Sequence, residues 1–465
     1  MVTSSNPPLE VVVLAAGQGT RMNSRLPKVL HPLAGRPLLA HVLMTVTELE
    51  PAGTHVVIGH GADLVREAVG AAGPKWVLQE EQLGTGHAVQ QALPDIDDAA
   101  VVLVLCGDVP MVTAKTLSRC VAGACGGAMT IITAELADPA ALGRIVRGAD
   151  GSVRGIVEYK DASAAERAIS EINSGIIAAP ANLLRELLDE VRPDNAQGEY
   201  YLTDTVALAV SRGVEVLGLK AERPDEVLGV NDRNQLAALE RQYQRACADR
   251  LMAAGASLAD PSRLDVRGDV MVGADCFIDV NVVIEGTVIM GRDVSIGPGS
   301  VIRDSRLGDG VRVEAHTVVD GAMVEAGCSL GPFARIRPGT ELGEGVKIGN
   351  FVETKKAVLG PGTKASHLTY LGDATVGANC NVGAGTVTCN YDGIDKHRTT
   401  IGDDVFVGTN STLVAPLSLG DESFVAAGST ITGDVDRGEL ALGRGRQRNV
   451  QGWVRPDRRR RADDD

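Results

Sequence analysis

From about Arg263 to Asn449, an apolar residue recurs at every sixth position, usually with glycine behind it. The clearest runs are Met290-Gly291, Ile296-Gly297 and Ile302; Leu330-Gly331, Ile336, Leu342-Gly343 and Ile348-Gly349; and Ile401-Gly402, Val407-Gly408, Leu413, Leu419-Gly420 and Val425. A six-residue period of this kind fits a short flat strand followed by a tight turn. Three such strands close one triangular coil whose apolar residues stack inside. A single coil buries too little apolar surface to offset the cost of ordering its backbone, so the array folds only as a stack of neighbours. The expected architecture of the second half is therefore a parallel β-helix.

The repeat period leaves handedness open. Its [LIV]-G-x-x-x-x form resembles the hexapeptide-repeat acyltransferases, which implies a left-handed coil. The first half reads differently. Val11-Val12-Val13-Leu14, Val56-Val57-Ile58 and Val101-Val102-Leu103-Val104-Leu105 are continuous β-branched runs, as strands buried on both faces should be, and helical patterns such as residues 38–49 lie between them. This alternation predicts an α/β, Rossmann-like unit with a largely parallel sheet. Between the halves, Leu236, Leu239, Tyr243, Cys247 and Leu251 recur at helical spacing. Asp232 is the expected N-cap and Gly255 the expected stop. The expected organisation is a first domain over 1–231, a linker helix over 232–255, the coil over 256–449 and a solvated charged tail over 450–465.

Charge narrows the partners. With 45 basic against 60 acidic residues the net charge is −15, which argues against nucleic acid or an anionic membrane. Residues 1–10 lack the features of a signal peptide, and no run approaches the length of a membrane span. The eight cysteines form no C-x-x-C pair and read as reduced core thiols. A cytoplasmic protein acting on small molecules is expected.

The first run ends in Ala15-Ala16-Gly17-Gln18-Gly19-Thr20-Arg21-Met22, with Lys28 a turn later. Small residues after a strand let backbone N–H groups approach a phosphate or a base edge, and Arg21 and Lys28 can neutralise triphosphate oxygens. The loop is neither a dinucleotide fingerprint, since Met22 takes the third glycine's place, nor a P-loop. Asp108, in Gly107-Asp108-Val109-Pro110, follows a buried strand at the end where α/β sheets bind ligands, and its carboxylate suits Mg²⁺.

The whole first loop resembles the L-A-A-G-x-G-T-R-M…P-K signature of the sugar-1-phosphate nucleotidyltransferases. The resemblance implies that Leu14, Ala15, Gly17 and Lys28 bind UTP, and that Gln79, Gln82, Gly84 and Thr85 contact its uracil and ribose. It implies Asn231 as second Mg²⁺ ligand beside Asp108, and Gly143, Glu158 and Asn173 as sugar contacts. In-line attack of a sugar phosphate oxygen on the α-phosphorus, with Arg21 and Lys28 stabilising charge, needs no covalent protein intermediate. One departure stands out. The family's G-Y-G-R reads Ala141-Leu142-Gly143-Arg144 here, which leaves the sugar loop's geometry open.

Two passages depart from the six-residue rhythm, Ala365 through Gly372 and the insertion 388–400, reading T-C-N-Y-D-G-I-D-K-H-R-T-T. Breaks in a repeat tend to carry function. Here the sequence resembles the bifunctional N-acetylglucosamine-1-phosphate uridyltransferase/glucosamine-1-phosphate acetyltransferase family, over residues 9 to about 453. That resemblance implies an enzyme making UDP-N-acetylglucosamine for cell-wall precursors from acetyl-CoA, UTP and glucosamine 1-phosphate. By it, His367 is the general base, with Glu353 orienting it. Arg337, Lys355, Tyr370 and Lys396 bind the sugar phosphate. Asn381, Asn390 and Tyr391 position the amino sugar and acetyl group, and an amide near Ala384-Gly385 faces the oxyanion. Acetyl-CoA lies near Thr409, where the family usually has serine, and near Ala427 and Arg444. A homotrimer with a site between subunits is implied. Two other readings, a nucleotidyltransferase with a purely structural coil and a non-enzymatic scaffold, leave His367 and residues 390–396, or Asp108 and Asn231, without a purpose.

Overall fold

The computed structural model describes residues 7–70 and 73–453. It divides into two compact units, the first ending at Cys247 and the second beginning at Ala248. This boundary falls inside the helix Arg233–Ala253, whose first turn is capped by Asp232 Oδ1 accepting from the Gln235 N–H at 2.9 Å. Leu239 of that helix packs with Met22, Leu33, Leu38, Met111 and Val230, and Glu240 accepts from the Ala34 N–H at 2.8 Å. The helix's N-terminal half is thus part of the first unit rather than a free connector. Of the charged tail, residues 450–453 are exposed, and 454–465 lie outside the described residues.

The first unit is built on a sheet whose strands run in the order Val216–Lys220, Met129–Glu135, Glu171–Pro180, Val101–Cys106, Leu9–Leu14, Gly53–Ile58, Lys75–Leu78. The four strands from Val101–Cys106 to Lys75–Leu78 are mutually parallel, and the central residues of the first three are fully buried while Trp76 and Val77 of the edge strand are partly exposed. All four carboxyl ends therefore open on one edge. The sheet is less parallel than the alternating pattern predicts. Glu171–Pro180 runs antiparallel to both neighbours and carries an antiparallel hairpin, Arg144–Arg147 with Val153–Val157. Apolar content marks a strand as buried on both faces but not its direction, which explains the difference.

The second unit is a left-handed parallel β-helix with strands paired from Ser257–Leu258 to Leu440–Ala441. One wall is an 11-stranded ladder, and a 17-stranded ladder forms the other two. The repeat's apolar residues, among them Met290, Ile296, Ile302, Leu330, Ile336 and Leu342, line the interior. Successive coils advance by 17 or 18 residues, as in Val301↔Val318 and Arg335↔Glu353. Across the insertion the step becomes 25, as in Ala374↔Thr399 and Asn381↔Phe406. The passage around His367 does not interrupt the coil. Lys347↔Lys364 and Glu353↔Tyr370 keep an ordinary 17-residue step, and only the 390–398 loop is extruded.

Candidate active sites

At the open edge of the first sheet, backbone geometry brings four polar side chains together. Gly19 adopts φ 60°, and a Cβ there would lie 2.6 Å from the Lys28 Cβ, so glycine lets the loop close over Lys28. Lys28 Nζ forms an ion pair with Asp108 and reaches Asn231 Oδ1 at 3.5 Å, while Arg21 Nη2 donates to Asn231 Oδ1 at 2.9 Å. The 229–231 segment is tied to the strand end by the Val230 N–H donating to Asp108 O at 3.0 Å. Two hard oxygen donors thus converge on one ammonium, at the place where the sheet's strands end. Leu14 closes its strand, the Ala15 N–H is held by Val57 O at 2.8 Å, and Gly17 borders open space. Cys106, two residues before Asp108, is no nucleophile: burial and the nearby Asp108 carboxylate push its thiol up to about 12.

Of the four residues expected to read the base, the three with polar side chains all make internal hydrogen bonds. Gln79 is buried and its amide nitrogen donates to Gly84 O at 3.1 Å, while Thr85 Oγ1 accepts from the Leu202 N–H at 3.0 Å. They shape the loop that carries Gln82 and Gly84. Gln82, exposed, donates to Gln79 O at 3.1 Å, and a Cβ on Gly84 would lie 2.6 Å from Tyr200 O.

The three expected sugar contacts form one row across three antiparallel strands. Arg144 is registered with both Val157 and Ile172, so Gly143, Glu158 and Asn173 lie side by side, and the Asn173 N–H donates to Gly143 O at 2.9 Å. Burial holds the Glu158 carboxyl above its ordinary range, against a hydrogen bond from Thr203 Oγ1 at 3.2 Å. The loop with the unfamiliar Ala141-Leu142 is held by Arg144 itself. Its guanidinium, 2% exposed, donates to the carbonyls of Leu142 and, at 2.9 Å, Ala140, and lies 5.7 Å from the Tyr159 ring centre. Replacing Arg144 with methionine should strip those carbonyls of their donors. The expected result is a KM for the sugar phosphate raised about 10-fold or more, with the KM for the nucleotide little changed, measured by steady-state pyrophosphate release.

On the β-helix, cross-coil register assembles a cationic cluster. Arg337 and Lys355 lie on successive coils, and Lys355 is registered with Gly372. A Cβ on Gly372 would collide with the Tyr370 hydroxyl, so that hydroxyl lies over the Gly372 backbone beside Lys355. Lys396, from the extruded loop, approaches Lys355 and is the main cause holding its amine below the ordinary lysine value. Asp373 answers the charge: it lies 3.9 Å from Lys355 Nζ and accepts from the buried Asn390 side chain. The loop is closed by Asp392, whose carboxylate is held low by His397 at 2.7 Å and by the backbone N–H groups of Asp395 and Ile394. Tyr391 is exposed, with its hydroxyl donating to Gly393 O at 2.6 Å.

His367 stands apart from this cluster, beyond the corner made by Leu368. Glu353 does not orient it. That carboxylate is taken by Arg337 Nη1 at 2.6 Å, and the imidazole Nδ1 instead lies 2.6 Å from Asn350 Oδ1. The registration Asn350↔His367 puts the amide directly beneath the imidazole, a partner that no spacing in the sequence singles out. The Gly385 amide is likewise unavailable to an oxyanion, because it donates to Leu368 O at 3.0 Å. Asn381 lies on the same wall as His367, registered with Lys364. Thr409 and Ala427 follow on later coils, where Thr409 O accepts from the Gly428 N–H at 2.8 Å and Ala427 O from Arg444 Nη1 at 2.6 Å. Asp373 belongs to no recognisable motif, and nothing in the sequence assigns it to this cluster.

Comparison with known proteins agrees with this two-part construction. The MobA-like NTP transferase domain family matches residues 11–171, the GMPPB C-terminal domain 266–352, and the hexapeptide repeat of succinyl-transferase 398–433. The chain is similar to the "Bifunctional protein GlmU" of Marinobacter nauticus, 54% identical over 97% of this chain and 99% of that one. It is 53% identical to the protein of the same name from Pseudomonas entomophila, over 97% and 99%, and 53% identical to that of Paraburkholderia xenovorans, over 97% and 100%. With more than half of the aligned positions identical along nearly the whole of both chains, this protein belongs to the GlmU family of bifunctional enzymes.

Proposed function

We propose that the two residue clusters are the two active sites of one bifunctional transferase. The coil acetylates glucosamine 1-phosphate with acetyl-CoA, and the first unit transfers UMP from UTP to the N-acetylglucosamine 1-phosphate so formed. The proposed boundaries are 1–231 for the uridyltransferase, 232–255 for the helix and 256–449 for the acetyltransferase. The observation that carries this reading is the pair of cationic, phosphate-ready clusters on separate units, Arg21–Lys28–Asp108–Asn231 and Arg337–Lys355–Tyr370–Lys396.

In the first site, a phosphate oxygen of the sugar attacks the α-phosphorus and pyrophosphate leaves. The Asp108 carboxylate and Asn231 carbonyl are oxygen donors of the kind Mg²⁺ prefers, and both already meet a cation, Lys28. Mg²⁺ held there would neutralise charge on the phosphoryl oxygens. Lys28 and Arg21 then turn from Asp108 and Asn231 to the triphosphate. The Gly143–Glu158–Asn173 row holds the sugar so that its phosphate faces that end of the sheet.

In the second site, Arg337, Lys355 and Lys396 hold the sugar phosphate. His367 takes the proton from the amine as its nitrogen bonds to the thioester carbonyl, and the C–S bond then breaks to release coenzyme A, which recovers the proton. The Ala384 amide is the remaining candidate of its pair for the oxyanion. Asn381, Asn390 and Tyr391 flank the amine and acetyl group, with Thr409, Ala427 and Arg444 along the coenzyme.

Self-association as a homotrimer is supported by an apolar column beside His367. His316, Phe333, Phe351 and Leu368 occupy one corner of successive coils, with ring centres 5.2 and 5.6 Å apart. Each has a positive φ, between 49° and 57°, and the last three are at least half exposed in the single chain. Bulky residues held in the left-handed region and facing out call for a partner surface. Changing Phe351 to glutamate should give a monomer by light scattering, cut acetyl transfer roughly 100-fold or more, and spare uridyl transfer. A cytoplasmic location accords with eight free cysteines and with the lack, among the described residues, of a helix able to cross a membrane.

The direct test supplies purified protein with glucosamine 1-phosphate, acetyl-CoA, UTP and Mg²⁺. UDP-N-acetylglucosamine, coenzyme A and pyrophosphate should appear together. Failure to release coenzyme A in a folded protein would refute the acetyltransferase assignment.

A further inference from the structure

We propose that Asn350 is the positioning residue of the acetyl-transfer base. Its side-chain oxygen accepts a hydrogen bond from His367 Nδ1–H, which leaves Nε2 bare to take a proton from the amine. This inference rests on the reading of His367 as that base.

The geometry is built by neighbouring coils rather than by sequence proximity. Asn350 ends the strand Lys347–Asn350 and His367 ends Lys364–His367, and the two are registered partners with Nδ1 and Oδ1 2.6 Å apart. The backbones are held together around them. Leu368 N–H donates to Asn350 O at 3.0 Å, and Thr369 Oγ1 donates to His367 O at 2.7 Å. Gly349 leaves the space that a Cβ would take from Ser366 O, so the two strand ends approach closely just where the pair forms.

A neutral imidazole carries one N–H, and the group that fixes it decides which nitrogen is the base. Most orienting partners of a catalytic histidine are carboxylates, which also stabilise the imidazolium and raise its pKa. Here the Glu353 carboxylate is paired with Arg337 on the adjoining wall. The other charged residues of these two strands, Lys364 and Lys347, lie three residues before His367 and Asn350 and are registered with each other. An amide oxygen fixes the tautomer without adding negative charge, which leaves Nε2 as the nitrogen that accepts.

The test uses the full-length chain, with acetyl transfer, uridyl transfer and thermal melting followed in Asn350→Ala, Asn350→Asp and His367→Ala. Asn350→Ala should lower kcat for acetyl transfer by about 10- to 100-fold with smaller changes in both KM values, as loss of an orienting partner does elsewhere. Asn350→Asp keeps the acceptor and should move the acidic limb of the kcat/KM profile upward by about one pH unit. Uridyl transfer should be unchanged in both. Unaltered kcat and pH profile in the two Asn350 variants, with His367→Ala inactive, would overturn the role given to Asn350 and leave His367 as the base. Acetyl transfer persisting in His367→Ala would instead remove the base itself. Should the alanine variant melt early, the aspartate variant's pH profile decides alone.

Discussion

Replacing His367 with alanine is expected to abolish acetyl transfer, lowering kcat by about 10²- to 10⁴-fold, while uridyl transfer continues at its original rate. The size is that expected for removing the proposed general base. The selectivity follows from where the side chain stands. His367 is exposed at a corner of the β-helix, and its imidazole is bonded only to Asn350 among the described side chains. Its loss should cost less than about 1 kcal/mol of stability, so the fold and the first unit are untouched. Release of coenzyme A thiol and release of pyrophosphate, measured on the same preparation, give the two readouts. Loss of both activities in a protein that still melts normally would contradict two independent sites.

The converse substitution, Asp108→Ala, is expected to reduce uridyl transfer by about 10³-fold or more and to leave acetyl transfer intact. Asp108 is asked to do two things. It pairs with Lys28, and it offers oxygen donors to the cation that would accompany the triphosphate. Without it, Lys28 retains only Asn231 at 3.5 Å, and the developing phosphoryl charge loses its organised surroundings. The backbone link from Val230 N–H to Asp108 O survives the change, so the loop should keep its path. A titration of rate against Mg²⁺ concentration checks the cause. The variant's residual rate should need markedly more Mg²⁺ to saturate; unchanged saturation would move the metal away from Asp108.

Several parts of this architecture were legible because a local rule carries them. The six-residue period marks the coil's interior, since most inward positions are apolar wherever they fall in the stack, with hydrogen-bonded threonines such as Thr354 and Thr388 as exceptions. The glycine-rich loop before Arg21 and Lys28 reports a backbone path that glycine permits and other residues resist, as Gly19 shows. The extruded loop at 390–398 was visible as an interruption, because seven added residues cannot be absorbed into a coil of 17 or 18. The His367 passage looked like a second interruption and is not one. Its polar residues, apart from the buried Thr369, sit on outward and corner positions, which the period leaves free.

What the sequence alone determined is therefore the pair of folds, their order and the residue types available for chemistry, since these depend on patterns within a few residues. Tertiary structure alone decided who touches whom. Asn350 rather than Glu353 meets His367, because one coil advances by 17 residues and sets strand end over strand end, while Arg337 claims the carboxylate. Gly143, Glu158 and Asn173 become one row only when three antiparallel strands align them. Asp373 joins Lys355 to Asn390 across successive coils. Such contacts are made between residues distant in the chain, and no local propensity encodes them.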